Sequence, residues 1–343
     1  MYYIILDTPY RNIFYHKYLK KIFVEELNWK QIKSRDEFKN VEKSKVYSMI
    51  DEMSFINNEI KGFWKICHKT NMANILQNSC YIPTTHIVNN LNLEKTICGL
   101  NSKLEMETDL YFLKKNNSGR GKDIFIISKI EDYKSKLEKF RVDLTEKINC
   151  NSKSELEKHL NNIKYHLNDK WVLQNAINPS LINNCKFHIR HMFMVRRHKN
   201  KLIGYLYNDF YIVKSHNEYN TSINKNVQLT GPGGNSIKLE SCKWEYTDSY
   251  ILKSFNMMKD ISPKLLEVFE REGPNCYQLF GLDIMLDKNQ TLCLMEINYG
   301  AAFTDCSHKL NIKIIRDLIH LAIIPEVGIE CKVETGWQKT CEL

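Results

Sequence analysis

The sequence predicts a mixed α/β (α+β) protein with antiparallel-sheet lobes, flanking helices and a small N-terminal α/β lobe. Two kinds of pattern carry this prediction. Segments with strand composition follow one another across short turns, as in an antiparallel sheet. Other segments space their apolar residues three and four apart, as in an amphipathic helix. The length of 343 residues exceeds the roughly 250 to 300 residues at which a single core stops growing, so several lobes are expected.

Residues 1–62 are predicted to form the small N-terminal lobe. Residues 4–6 form an apolar run that resembles a strand, and residues 11–27 carry apolar side chains at helical spacing. Residues 64–76 again suit a helix. Pro83 then favours an extended connection, because proline disfavours helix at the residue before it. The lobe boundary is therefore placed near residue 62.

A sheet is predicted to dominate the middle of the chain. Residues 171–177, 187–195 and 202–207 have strand composition, and Pro179 is among the turn residues between the first two. Residues 131–168 are rich in Lys, Glu and Asn and poor in large apolar side chains. That composition is typical of a solvated helical insertion or a mobile loop, so weak order is expected there.

The clearest hairpin lies in the C-terminal third. A helix is expected to end over residues 265–271, after which strands over residues 277–286 and 291–297 flank the turn 287–290. Apolar positions between residues 310 and 321 fall mainly on one helical face. This pattern predicts a terminal helix packed on the same sheet.

The composition excludes several classes of protein. No apolar run approaches the roughly 20 residues of a membrane-spanning helix, and the N-terminus lacks the basic and apolar segments of a secretory signal. A cytoplasmic location is therefore expected. The cysteines are scattered without a Cys-x-x-Cys pair, so they are expected to be reduced thiols and not disulfides or zinc ligands.

The formal net charge of +9 suits an acidic polypeptide, an anionic surface or nucleic acid, but biased base composition explains the abundance of Lys, Asn and Ile equally well. Residues 193–198 interleave basic and aromatic side chains, as nucleic-acid-binding proteins do. The same residues also read as a buried strand that ends in a basic turn. Neither a specific nucleic acid nor a membrane is expected as a partner.

Three oxygen-bearing side chains are predicted to converge on the C-terminal hairpin. Glu296 and Asn298 share one face of the second strand because side chains alternate along it, whereas Met295 and Ile297 are expected to face the core. Asp283 lies within a residue or two of them in register on the partner strand. Such ligands on rigid strands suit Mg²⁺, which normally shares its shell with nucleotide phosphates. A polar sheet face open to water is the alternative.

A second signal is a short basic loop between two apolar segments. Residues 119–122 read Gly-Arg-Gly-Lys and stand between the apolar segments 111–113 and 124–127. Backbone N–H groups can approach a phosphate closely at glycine, while Lys and Arg neutralise its charge. Basic hairpin turns occur for many reasons, so this motif gains weight chiefly from its position before the acidic hairpin.

In order along the chain, these motifs resemble those of the tubulin–tyrosine ligase-like family of the ATP-grasp superfamily. That family carries a strand lysine, then Arg-Gly-x-Gly-Ile, Gln-x-Tyr-Ile, Lys-Phe-Asp-x-Arg, Leu-Thr-Asn, Phe-Gly-x-Asp and Glu-x-Asn. The resemblance extends from about residue 63 to the terminal helix. The corresponding segments are Lys114 and residues 119–124, 174–177, 186–190, 229–231, 280–283 and 296–298.

The resemblance implies an ATP-grasp fold in four parts. Residues 1–62 would form the N-terminal α/β lobe, and residues 63–177 a central ATP-grasp lobe with the phosphate loop. Residues 178–327 would form a C-terminal ATP-grasp lobe with the metal site. Residues 328–343 are left as a tail.

The resemblance also implies roles for individual residues. Arg190 would contact phosphate or an acyl-phosphate intermediate, with a strand-end salt bridge as its alternative role, and Glu296 would act beside it in catalysis. The ligands implied for Mg²⁺, with two ions expected, are Asp283, Glu296 and Asn298. The residues assigned to ATP are Lys114, Gly119, Arg120, Gly121, Lys122, Gln174, Asn175, Ala176, Ile177, Lys186 and His188. The residues assigned to the substrate are Lys214, Tyr219 and Thr230.

Several positions depart from the family pattern. His188 stands in place of Asp, Gly231 in place of Asn, and Asp123 in place of a glycine. The family arginine that grips the incoming amino acid has only Val213 as its counterpart or, after a one-residue shift, Lys214. A lysine keeps the charge but loses the two-pronged grip on a carboxylate, so the sequence leaves the amino-acid specificity open.

The sequence therefore predicts an ATP- and Mg²⁺-dependent ligase that joins an amino acid to a protein through an amide bond, by way of an acyl phosphate. Its expected partners are a free amino acid and an acidic protein acceptor such as tubulin. Tyrosine ligation, glutamylation and glycylation are not separated by these motifs. The alternatives are a ligase of free amino acids or peptides and an inactive ATP-grasp binding module.

Overall fold

The computed structural model describes much of the chain. No helix in the described ranges is long and apolar enough to cross a membrane. The described cysteines are all free thiols. The ranges described are residues 3–5, 21–32, 46–48, 60–89, 110–116, 124–127, 170–221, 224–230, 236–240, 244–273, 275–299, 308–329 and 333–343.

The N-terminal sheet is small and parallel. Strand β1 (Tyr3–Ile5) lies between β2 (Lys30–Ile32) and β3 (Val46–Ser48). Part of the predicted helix is present as a π-helix over Lys21–Glu26. It buries Phe23, whose ring lies 4.6 Å from that of Trp29.

The central part of the chain begins with two short helices where one was predicted. Helix α1 (Trp64–Cys67) and helix α2 (Lys69–Ile75) are separated by His68, whose backbone is extended at φ −78° and ψ 122°. Extended backbone cannot continue a helix, so the helical spacing of residues 64–76 spans a break.

An antiparallel sheet of four strands follows these helices. Its order is β4 (Thr85–Asn89), β7 (Lys170–Asn175), β5 (Tyr111–Lys115) and β6 (Ile124–Ile127). The predicted strand at residues 171–177 is thus confirmed with slightly different ends. The predicted insertion at residues 131–168 lies outside the described residues.

The largest sheet has seven antiparallel strands, and its two longest lie side by side. Strand β9 (Cys185–His198) pairs with β10 (Lys201–Glu218) on one side. The other strands are β8 (Leu181–Ile182), β11 (Ser236–Glu240), β12 (Cys276–Leu286), β13 (Leu292–Tyr299) and β14 (Trp337–Glu342). The path of the sheet is β11, β10, β9, β12, β13, with β8 on β9 and β14 on β10.

Each face of this sheet is packed by a helix. Phe193 and its odd-numbered neighbours on β9 pack in one apolar cluster with the helix over Thr247–Leu266. Met192 and its even-numbered neighbours pack on the terminal helix over His308–Leu318, as the sequence predicts. A short helix over Lys225–Gln228 precedes both of them in the chain. The three helices are therefore named α3 (Lys225–Gln228), α4 (Thr247–Leu266) and α5 (His308–Leu318). The sequence predicts that this helix ends over residues 265–271, and α4 ends at Leu266.

The terminal helix continues into two irregular turns. A π-helix over Ile319–Ile323 and a 3₁₀-helix over Ile324–Val327 follow α5. Gly328 then adopts a left-handed φ of 75°, which glycine allows without a steric cost, and ends the helical segment.

Two details of the sequence prediction are corrected. The segment 328–343, predicted as a tail, contains strand β14, which pairs with β10 and buries Trp337 and Thr340. Met295 was expected in the core. A bulge pairs Asp283 with Glu296 but Ile284 with Leu294, so Met295 is the extra residue and lies beside the candidate site instead.

Candidate active site

The candidate site lies on the α5 face of the large sheet, where β9, β12 and β13 extend beyond that helix. Arg190 has the same parity on β9 as Met192, and its register partner on β12 is Asp283. Asp283 in turn pairs with Glu296 on β13, and Gly281 pairs with Asn298. Paired side chains share a face of a sheet, so the predicted convergence of the three oxygen ligands is found.

Asp283 is held from three sides. Arg190 donates to both carboxylate oxygens, from Nε to Oδ1 at 2.6 Å and from Nη2 to Oδ2 at 3.2 Å. Asn298 Nδ2 donates to Oδ2 at 2.9 Å, and His188 Nε2 lies 3.6 Å from Oδ1. Burial raises the pKa of Asp283, but Arg190, His188 and the hydrogen bonds outweigh it, so the net pKa is lowered. Asp283 is therefore ionised in the neutral range.

Glu296 contacts a cation that the sequence analysis missed. Lys69, at the start of α2, is buried and places Nζ 2.9 Å from Glu296 Oε1. The backbone N–H and hydroxyl of Thr70 both donate to Asn116 Oδ1, at 2.9 and 3.0 Å, and so tie α2 to the end of β5. Lys69 and Glu296 are 227 residues apart in the chain, so no local sequence pattern could have revealed their contact.

Two further lysines are buried on the other side of the site. Lys114 Nζ donates to Gln174 Oε1 at 2.6 Å, and Lys186 Nζ lies 3.4 Å from Gln228 Oε1. Both ammonium groups lie near the ring of Phe112, at 5.6 and 5.0 Å from its centre. These lysines thus meet neutral amides and an aromatic ring.

Burial changes the acidity of both groups. It lowers the pKa of Lys114 to about 8, with Lys69 adding to the effect and Glu296 opposing it. It lowers the pKa of Lys186 to about 7, with Lys114 as a second cause. Desolvation disfavours the charged form of a lysine, and an incoming anion would restore it. The pair therefore has the character of an anion receptor.

Residues 174–177, which the family resemblance assigns to ATP, connect Lys114 with a small apolar cluster. Gln174 Nε2 donates to Thr85 Oγ1 at 3.1 Å, which fixes the amide that Lys114 contacts. Asn175 carries a buried side-chain oxygen without a protein partner. Ala176 packs against the apolar cluster, and Ile177 is partly exposed beside it. The cluster consists of Leu110, Phe112, Ile126 and Leu229.

Thr230 and Tyr219, two of the residues assigned to the substrate, lie close to His188 and Lys186. Thr230 Oγ1 lies 2.5 Å from His188 Nδ1, and the ring of Tyr219 lies 5.9 Å from Lys186 Nζ. Lys214 is different, because its register partner is Phe187, which belongs to the apolar cluster on the α4 face. Val213, not Lys214, shares a face with His188.

The predicted phosphate loop is not described. Gly119, Arg120, Gly121, Lys122 and Asp123 lie outside the described residues, as does Gly231. Their positions relative to Lys114 and Lys186 therefore stay predictions.

The acidic side chains fit a magnesium ion in their chemistry. Asp283 and Glu296 are direct cross-strand partners, and Arg190 and Lys69 beside them offset the repulsion between their like charges. Within the described ranges no cluster of three or more His, Cys, Asp or Glu side chains is found. The third candidate ligand is the amide of Asn298, so the set comprises two carboxylates and one amide. Hard oxygen donors of this kind are those that Mg²⁺ prefers.

A comparison with known families decides the relationship of the chain. The sequence profile of the Tubulin-tyrosine ligase family matches residues 41–231 and 234–334. The chain belongs to the tubulin-tyrosine ligase family. In this tubulin-tyrosine ligase family member, every candidate site residue, including Lys69, lies within the two matched ranges. The resemblance identified from the sequence motifs is thus confirmed, and the mixed fold with antiparallel sheets is consistent with it.

Curated relatives of this family member cover part of the chain. The human protein "Probable tubulin polyglutamylase TTLL2" is 29% identical over 178 residues, which are 44% of the chain and 30% of the relative. Its mouse counterpart is 27% identical over 176 residues, 44% of the chain and 32% of the relative. The human "Tubulin monoglutamylase TTLL4" is 34% identical over 83 residues, 23% of the chain and 7% of the relative. The matched segments thus span about a third or less of these relatives.

Proposed function

We propose that this protein is an ATP-dependent ligase that attaches glutamate to tubulin, or to a similar acidic acceptor, through an amide bond. Its family supports the ligase class, and the names of its relatives favour glutamate and tubulin. The observation that carries the proposal is the pair of buried lysines, Lys114 and Lys186, of which Lys114 interacts with the paired carboxylates Asp283 and Glu296. The lysines suit the phosphates of a nucleoside triphosphate, and the carboxylates suit its metal ions.

The proposed reaction has two steps. A carboxylate oxygen attacks the γ-phosphorus of ATP, the bond to the bridging oxygen of ADP breaks, and an acyl phosphate forms. The amine of the second substrate then attacks the acyl carbon, phosphate leaves, and the amine loses a proton. Neither step needs a protein nucleophile, so positioning and charge neutralisation are the contributions expected of the protein.

Each part of the site has a role in this scheme. Lys114 and Lys186 would neutralise phosphate oxygens, since cations within a desolvated site stabilise the charge on a transferring phosphoryl group. Arg190 would stabilise the acyl phosphate. Mg²⁺ held by Asp283, Glu296 and Asn298 would supply further neutralisation of the phosphates, and we propose two ions. The apolar cluster around Phe112 would contact the base.

Amino-acid selectivity is the least constrained part of the proposal. The family arginine that grips the incoming amino acid corresponds to Val213 by its face of the sheet. Lys214 lies on the opposite face, so it does not replace that arginine through a one-residue shift. We therefore propose that another cation grips the amino-acid carboxylate in this protein.

The test is ligation of labelled glutamate, tyrosine or glycine to tubulin, with ATP and Mg²⁺. Glu296→Gln should lower ligation by about 100- to 1,000-fold, the size of effect found on removal of one electrostatic group from an active site. Glu342→Gln is the matched control, because it removes a carboxylate from an ion pair with Lys201 far from the candidate site. The control should ligate at the wild-type rate.

The outcomes separate the candidate functions. Label that enters tubulin from glutamate alone would support the proposal, whereas tyrosine or glycine incorporation would correct the amino acid. Label found only in free peptides would favour a small-molecule ligase. Absence of nucleotide binding would favour a binding module, and wild-type ligation by Glu296→Gln would contradict the metal site.

A further inference from the structure

Gly281 occupies a position where a side chain would displace Arg190. A Cβ atom built on Gly281 would lie 2.9 Å from Arg190 Cδ and 3.1 Å from its Nη1. Carbon atoms in contact require about 3.5 Å or more. The arginine therefore lies across β12 at the one point where the strand has no side chain.

This position brings the guanidinium onto a proposed metal ligand. Arg190 contacts both carboxylate oxygens of Asp283, at 2.6 and 3.2 Å, and only 17% of each side chain is exposed. A fork of two parallel hydrogen bonds is the strongest grip that arginine makes on a carboxylate. The same oxygens are those that a divalent cation would use. A divalent cation and the guanidinium repel each other when both approach these oxygens, so they compete for Asp283.

The structure therefore assigns to Gly281 the role of a positioning residue: it lets Arg190 serve as the counter-ion of Asp283 until a metal ion replaces it. Displaced from Asp283, the guanidinium is free to contact the phosphoryl group that the metal accompanies. This inference rests on the proposed function for the identity of the anion. The exchange of cations on Asp283 rests on the contacts of Arg190 and on the proposed Mg²⁺ site.

A supporting role and a competing role of Arg190 predict opposite changes in metal binding. If Arg190 held Asp283 in place for the metal, loss of the contact would weaken metal binding. If Arg190 competes with the metal, loss of the contact must strengthen metal binding while it slows ligation. The sign of the change therefore decides between the two roles.

Gly281→Ala tests the sign, because the atoms that it would push aside belong to a flexible side chain. Binding of Mn²⁺ alone, followed by the electron paramagnetic resonance signal of the free ion, should tighten by about tenfold, the size of a one-unit carboxylate pKa shift caused by a neighbouring cation. The ligation rate should fall. Arg190→Gln, which puts a neutral amide in place of the charged guanidinium, should change Mn²⁺ binding in the same direction.

Gly204→Ala is the matched control on the same sheet. A Cβ atom at Gly204 would lie 2.8 Å from Thr340 Oγ1, at the junction of β10 and β14, so it adds a comparable clash away from the site. Its Mn²⁺ affinity should equal that of the wild type, even if its melting temperature falls.

Three results would overturn the inference. Weaker or unchanged Mn²⁺ binding in both Gly281→Ala and Arg190→Gln would show that Arg190 does not compete with the metal. Tighter binding in Gly204→Ala would show that the effect is not specific to the site. Absence of Mn²⁺ binding in every protein would overturn the metal site as well. A different outcome concerns the proposed function alone: it would be overturned if the wild type did not ligate while both site variants bound Mn²⁺ more tightly.

Discussion

The acidic and basic halves of the candidate site balance their charges in opposite ways. In the acidic half, each carboxylate contacts a cation: Asp283 contacts Arg190 at 2.6 Å, and Glu296 contacts Lys69 at 2.9 Å. The net pKa of Asp283 is lowered as a result, despite burial. This half is therefore electrically satisfied before any ligand arrives.

The basic half contains cations in contact with neutral groups. Lys114 and Lys186 meet the amide oxygens of Gln174 and Gln228, and burial lowers the pKa of each lysine. The difference shows which end of the site gains most from an anion. Phosphate would stabilise two desolvated ammonium groups, whereas a metal ion must compete with cations already present.

The largest effect on this comparison is expected from Lys186→Met. Loss of a charge-assisted contact should weaken nucleotide binding by about 10- to 100-fold. Removal of this buried charge should leave thermal stability unchanged or raise it, because the cost of desolvating an ammonium group disappears. Isothermal titration with ATP and thermal unfolding measure the two quantities.

Lys201→Met is the matched control for this variant. The Lys201 side chain is 63% exposed and pairs with Glu342 at the surface. It should bind nucleotide as the wild type does. Lower stability of Lys186→Met together with normal nucleotide affinity would mean that the buried lysine serves the fold and not the ligand.

A pH titration should show a smaller effect of the same kind. Lys186 and Lys114, with pKa values of about 7 and 8 in the ligand-free protein, lose their protons as the pH rises from 6 to 9. Phosphate favours the charged forms, so nucleotide affinity should fall as the pH rises, by about fivefold between pH 6 and pH 7.5. Binding should take up protons.

Calorimetry in buffers of different ionisation enthalpy measures this uptake directly. Lys186→Met should remove the rise in uptake whose midpoint lies near pH 7 and leave the rise near pH 8 that belongs to Lys114. Nucleotide affinity that stays constant between pH 6 and 9 would contradict the assignment of these lysines to phosphate.

The smallest effect is expected in the acidic half. A carboxylate whose folded pKa is lowered contributes stability that is present above its unfolded pKa and lost as the pH falls through the folded value. Asp283, whose ordinary pKa is 3.8, should therefore contribute to acid unfolding below that pH. Asp283→Asn should lose less stability than the wild type between pH 5 and pH 3 in urea unfolding. Equal losses in both proteins would show that the Arg190 contact contributes nothing measurable.

The sequence by itself determined the parts of the site that depend on local patterns. The turn at residues 287–290 and the alternation along its strands placed Asp283, Glu296 and Asn298 together, because a hairpin pairs residues that are close in the chain. Strand composition also located β9 and β12, and helical spacing located α5. The order of the motifs along the chain identified the family.

Only the tertiary structure decided the rest, since those features depend on residues far apart in sequence. The contact of Lys69 with Glu296 has no local signature. The bulge that brings Met295 to the site depends on the partner strand, and so does the face on which Lys214 lies. Strand β14 has a largely polar sequence and is recognisable as a strand only through its pairing with β10. Local patterns specify elements and their turns, whereas long-range pairing fixes which charges meet.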